Sequence, residues 1–121
     1  MRMSGGLRRA FDPAATTGGA TIEVEFMGLW FEWDDGKAHL NRRNHGVGFE
    51  EAATVFIDPL GRIFDDEAHS IEEEREILIG HSSENRLLLV CFTERRDAIR
   101  IISARKATKR ERNEYEENTL G

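Results

Sequence analysis

The chain has 121 residues, 39% of them hydrophobic and 33% charged, with a formal net charge of -6. That is the length of one domain with enough apolar residues for a single modest core, which excludes both a two-domain architecture and wholesale disorder. No apolar run approaches the roughly 20 residues a membrane helix needs, and the single cysteine, Cys91, excludes an internal disulfide and a cysteine-based zinc site.

Residues 1–21 are rich in Gly, Ala, Thr and Arg and have no sustained apolar period. They predict a flexible leader ahead of one folded domain spanning 22–121. No apolar block of a secretory signal is present, so the expected location is the reducing cytoplasm, with Cys91 used in core packing. Residues 22–33, IEVEFMGLWFEW, alternate apolar and polar as a strand does, with Gly28 marking a bulge or a break. Asp34 is placed to cap a helix over 35–45, and Gly46 supplies the left-handed stop. A second short helix follows, with Phe49, Ala52, Ala53, Val55 and Phe56 on one face and Asp58-Pro59 at its end.

Residues 62–64 suggest a short strand, and an acidic loop over 65–70 comes next. Three segments then have strand-like length and β-branched content: EREILIG, NRLLLVCFTER and AIRIISARKA. LLLVCF is apolar on both faces, so its strand should be central and covered by helices on at least one side. A closing helix over 108–118 begins with Thr108 and Glu111 at capping-box spacing. The order predicts an α+β domain, a small antiparallel sheet packed with helices.

Charge is unevenly spread along these elements. Residues 23–94 carry six basic against seventeen acidic groups, whereas residues 95–112 carry eight basic against two acidic. A basic segment on an acidic body suits a polyanion held at one place. Taken alone, the same pattern equally describes the solvated face of a helix.

Three segments together resemble one family. FEWDDGKAHLNRRNHGVGFEEAATVF is similar to the opening of BrnT toxins, with Asp34, Lys37, Asn41, His45, Gly46 and Phe49 in matching order. DDEAHSIEEEREILIG resembles that family's His-Ser turn, here His69 and Ser70, followed by Glu74 and Arg75. IRIISARKATKRERNEYE resembles its closing strand and helix, with Arg100, Ser103, Arg105, Ala107, Glu111 and Tyr115. The resemblance implies a RelE-like fold and cleavage of RNA to halt translation. It also implies neutralisation by a BrnA-like ribbon-helix-helix antitoxin, through which alone operator DNA would be bound. Two features depart from the pattern. Asn44 stands where the family commonly has Lys, and such toxins begin near FEWD, which makes Met27 the expected start.

Cleaving RNA without a metal requires deprotonation of a 2′-OH, stabilisation of the phosphorane charge and protonation of the leaving oxygen, all within the reach of imidazole, ammonium and guanidinium groups. No metal or other cofactor is expected, because His39, His45, His69 and His81 lack the spacing of a helical zinc motif. With the resemblance, the candidate catalytic residues are Lys37, His45, His69, Arg75 and Arg105. The candidate RNA contacts are Asn41, Arg100, Lys106, Lys109 and Arg110. Lys37, Asn41 and His45 are four apart on one helix face, where they would meet one phosphate.

Arg100 and Arg105 share a strand at a separation of five, so they point to opposite faces unless a bulge intervenes. Arg105 is the preferred phosphate clamp because its planar fork can hold two oxygens at once. Tyr115, Trp30 and Trp33 read first as packing residues. A non-enzymatic module that binds nucleic acid or protein through the same basic face is the competing reading, kept open by Asn44.

Overall fold

A computed structural model of the chain describes residues 7–10, 19–66 and 74–120. The alternating segment at 22–33 is two strands, β2 (Thr21–Phe26) and β3 (Leu29–Asp34). Met27 and Gly28 between them both have positive φ, 52° and 85°. Two such residues form the tight hairpin turn whose twist matches that of its flanking strands, so Gly28 breaks the strand. The first strand, β1 (Leu7–Ala10), pairs antiparallel with β2. Part of the segment read as a leader thus joins the sheet, and residues 1–6 and 11–18 lie outside the described residues. Ile22 of β2 is 3% exposed, and Val24 and Phe26 pack against the same core. A chain begun at Met27 would lack that strand.

Helix α1 (Asp35–His45) starts and stops where its caps predict. The Asp34 carboxylate accepts from Lys37 N at 2.8 Å, and Gly46, at φ 69°, donates its N–H to Arg42 O. Helix α2 (Phe49–Thr54) runs into one 3-10 turn, Val55–Ile57. Strands β4 (Arg62–Asp65), β5 (Glu76–His81), β6 (Leu87–Arg95) and β7 (Ala98–Lys106) follow, and α3 (Lys109–Leu120) ends the fold. No helix among the described residues is long and apolar enough to cross a membrane.

The seven strands form one sheet in the order β1-β2-β3-β7-β6-β5-β4. Neighbours are antiparallel except β3 and β7, which run parallel. That single parallel pairing joins an N-terminal hairpin to a C-terminal meander, and no local periodicity announces it.

One sheet face carries the main core, in which Phe31, Trp33, Val47, Phe49, Val55, Leu88 and Val90 are fully buried. Phe56 bridges it with edge-to-face contacts to Phe31 and Phe92, at ring-centroid distances of 5.2 and 5.0 Å. On the other face Tyr115 of α3 packs against Ile79, Leu87 and Leu89. The LLLVCF segment is therefore central and covered on both sides.

One buried charge ties the layers together. The Glu51 carboxylate of α2, 8% exposed, accepts from Ser82 Oγ at 2.6 Å and from the Arg86 guanidinium, which it pairs through both oxygens. Arg86 also holds the Gly46 carbonyl at 3.2 Å, so this pair links both helical segments to the β5–β6 turn.

Candidate functional site

The site arises where β3 leaves the sheet. Strands β3 and β7 are paired only at Phe31 with Ile99 and Glu32 with Arg100, after which the chain turns at Asp34 into α1. The rest of β7 would present an open edge, and Asn41 of α1 closes it. Its Nδ2 donates to Ala104 O at 2.8 Å and to Val47 O at 2.9 Å, while its Oδ1 accepts from Ala104 N at 3.0 Å. One side-chain amide thus imitates the peptide of a neighbouring strand, and it holds α1 alongside β7 with the helix's last residue, His45, beside the strand's end.

A β-bulge then sets which side chains of β7 meet. Cys91 of β6 pairs with Ser103, but the next residue, Phe92, pairs with Ile101, so Ile102 is extra. Residues directly opposite in a ladder share a face. Arg105 faces with Leu89, Ser103 with Cys91 and Arg100 with Thr93, which places Arg100 and Arg105 on the α3 face together. On an unbulged strand, a separation of five would put them on opposite faces.

On this face lies a cleft of about 290 Å³. Ile77, Leu89, Cys91, Ile102 and Ser103 line it together with His45, Asp66, Arg75 and Arg105. Cys91, half-buried, directs its thiol toward Asp66 Oδ2 at 3.6 Å. The neighbouring hollow between β4 and α3, lined by Phe64, Ile79 and Tyr115, has Arg62 as its only cationic wall residue. The smaller cleft carries two guanidiniums and an imidazole against one carboxylate.

Arg105 is held from outside the cleft. Its Nη1 and Nη2 donate to the two oxygens of Glu111, both at 2.8 Å, and Nη1 also donates to Lys106 O at 3.2 Å. Glu111 is at the same time the capping-box carboxylate of α3: it accepts from Thr108 N at 2.8 Å, and its own N–H donates to Thr108 Oγ1 at 3.1 Å. The Arg105 hydrogen bonds, joined by that of Thr108, hold the Glu111 carboxyl down to about 2, and the pairing raises Arg105 above its already high value. Both groups are charged across the whole physiological range.

The sequence-predicted residues fall into three groups. His45, Arg75 and Arg105 come together at the cleft. Asn41 does not reach it, since it is 6% exposed and its amide is committed to Val47 and Ala104, so its assignment as an RNA contact is corrected to a structural one. Arg100 is likewise corrected, because its guanidinium pairs with Glu32 at 2.7 Å and both side chains are largely buried, cross-linking β7 to β3. Lys37 is exposed on the first turn of α1, eight residues and ~12 Å along the axis from His45, and does not line the cleft.

Lys106 pairs with Leu88 and so points to the opposite sheet face from Arg105. Lys109 and Arg110 are exposed on the first turn of α3, Arg110 with its Nε 3.2 Å from Glu114, and neither lines the cleft. His69 lies outside the described residues. Tyr115 is 5% exposed, with its OH donating to Leu60 O at 3.1 Å, which is the packing role expected of it. Trp33 is core, edge-on to Phe49.

Sequence reasoning missed Asp66, which carries no local signal, and took Cys91 for a core residue. It identified Glu111 as a cap without its second partner, although an Arg and a Glu six apart across a strand-to-helix turn were there to be noticed. Among the described residues no group of three or more His, Cys, Asp or Glu is placed to hold a metal.

Comparison with known proteins identifies a family and a similar fold. The family profile described as the ribonuclease toxin BrnT of type II toxin-antitoxin systems matches residues 33–111, a span running from the end of β3 through the capping box of α3. The 1.1 Å crystal structure of the Brucella abortus ribonuclease toxin BrnT is similar in fold, with a TM-score of 0.51 and 24% identity over 64% of this chain and 94% of that one. No curated protein matches the chain.

Proposed function

The chain belongs to the BrnT family of ribonuclease toxins of type II toxin-antitoxin systems, and we propose that it is a metal-independent endoribonuclease that cleaves RNA in the cleft between β7, β5 and α1. The observation that supports this most is the convergence of Arg75, just ahead of β5, Arg105 of β7 and His45 of α1 on one hollow of about 290 Å³. Two guanidiniums supply the fixed positive charge that a crowded phosphorane needs. His45 can exchange a proton with the 2′-OH or the leaving 5′ oxygen, and the Asp66 carboxylate supplies an acceptor nearby. A partner antitoxin of the BrnA kind, binding operator DNA on the toxin's behalf, and arrest of translation in the cytoplasm complete the proposal.

The test uses the full chain. Purified protein is incubated with RNA in excess chelator, and it is expressed in a bacterial host with and without the neighbouring gene while growth and RNA integrity are followed. Cleavage that survives chelation, falls at least tenfold in each of Arg75→Ala, Arg105→Ala and His45→Ala, and is relieved by the neighbour supports the reading. Cleavage abolished by chelation would overturn the metal-independent mechanism. RNA binding without turnover would make the chain a non-enzymatic binding module.

A further inference from the structure

Resting on that reading of the cleft, we infer that Glu111 is the positioning residue of the site: it grips one edge of the Arg105 guanidinium and thereby presents the other edge to the scissile phosphate. A guanidinium has two useful forks, one between its two terminal nitrogens and one between Nε and Nη2. Glu111 occupies the first, with a 2.8 Å hydrogen bond from each terminal nitrogen. The second fork, Nε–H and the remaining Nη2–H, has no protein partner among the described residues, while Arg105 lines the cleft. An arginine gripped at one edge keeps its plane without losing its capacity to donate two parallel hydrogen bonds to a phosphate.

The grip is itself anchored. Glu111 Oε1 also accepts from Thr108 N, so the carboxylate cannot swing without opening the first turn of α3. Arg105 is about two-fifths exposed, and an arginine that accessible, left untethered, samples many rotamers and gains little from any one of them. Preorganisation at this point raises turnover more than it raises affinity, because the charge it aims develops in the transition state.

Three variants separate positioning from capping. Glu111→Gln keeps the side-chain length but offers one acceptor oxygen in place of two. Thr108→Ala removes the other half of the capping box and leaves the Arg105–Glu111 fork alone. Arg105→Lys removes the group being positioned. Each is examined by steady-state RNA cleavage, by thermal unfolding, and by the NMR signal of the arginine Nε–H groups during titration with an oligoribonucleotide whose 2′-OH groups are replaced by hydrogen.

The expected result is one arginine Nε–H resonance that disappears in Arg105→Lys and shifts on addition of the oligonucleotide. In Glu111→Gln that resonance should broaden and kcat fall about 10–100-fold with KM within about threefold. Thr108→Ala should lower Tm comparably yet keep both the resonance and kcat within about threefold. Glu111→Gln should have no further effect on turnover in the Arg105→Lys background. An unchanged kcat in Glu111→Gln, or an equal loss in Thr108→Ala, overturns the inference. Should the wild-type protein not cleave RNA, the proposed activity fails and the Nε–H resonance still decides whether Glu111 fixes Arg105.

Discussion

Replacing Asn41 with Ala removes one amide and strands three backbone groups. Two donated hydrogen bonds, to Val47 O and Ala104 O, and one accepted from Ala104 N are lost from a position 6% exposed to solvent. Each such bond is worth ~1 kcal/mol net, and a buried group left unsatisfied costs about 1–3 kcal/mol more. Partial solvation of the opened edge offsets some of this, so a total loss of roughly 3–5 kcal/mol is expected against the 5–15 kcal/mol by which domains are stable. For a domain of this length that lowers Tm by roughly 10–20 °C.

Urea and thermal unfolding followed by circular dichroism would measure it. Asn41→Asp is a sharper companion: its carboxylate still accepts from Ala104 N but faces two carbonyl oxygens, so it should be at least as unstable at neutral pH and recover partly as acid protonates it. If Asn41→Ala unfolds within about 3 °C of wild type while losing RNA cleavage, the amide touches substrate and the edge-closing role is wrong.

Deleting Ile102 restores a regular β6–β7 register and leaves Arg100 and Arg105 four apart, still on one face. RNA cleavage should stay within about tenfold of wild type with the α-helical circular dichroism signal intact, and cleavage at background in a folded protein would show that the bulge does more than set the facing of these residues. Glu51→Gln weakens a buried pair whose Arg partner is a third exposed, so about 2–3 kcal/mol is expected in urea unfolding rather than the larger cost of a fully buried pair. The acid limb of stability follows from signs alone. Glu51 is lowered below its ordinary 4.5, chiefly by the Arg86 hydrogen bonds, and Glu111 is lowered to about 2. Their stabilisation is therefore fully present above about pH 5 and is lost as pH falls toward 2. The double variant Glu51→Gln with Glu111→Gln should show a flatter stability profile over that window, and an unchanged slope would refute the assignment.

What the sequence disclosed was local. The Asp34 cap, the Gly46 stop and the Thr108–Glu111 box each involve residues within four of one another, and all three lie where spacing places them. The hairpin at Met27-Gly28 was blurred because the alternation continues on both sides of it, so the strand period hides the turn. Asn41 shares the spacing of Lys37 and His45, and nothing in that spacing tells that a strand edge 63 residues later needs an amide. The bulge at Ile102 is a property of the β6–β7 pairing and not of either strand. His45, Arg75 and Arg105 were individually legible through the family resemblance, whereas the company they keep with Asp66 and Cys91 comes from tertiary structure.

The lone parallel pairing also sets when the site can exist. Hairpin β2–β3 and the β5 to β7 meander close through short connections, but Phe31 with Ile99 and Asn41 with Ala104 join positions more than sixty residues apart. Contacts of such long range form slowly because the intervening chain must be closed around them first. During synthesis the early hairpin and α1 emerge and then wait, since their edge partner is the last of the strands among the described residues. Arg105 belongs to that strand and His45 to the waiting helix, so the cleft assembles only after β7 has been made, and a translation product that stops short of β7 carries no complete site.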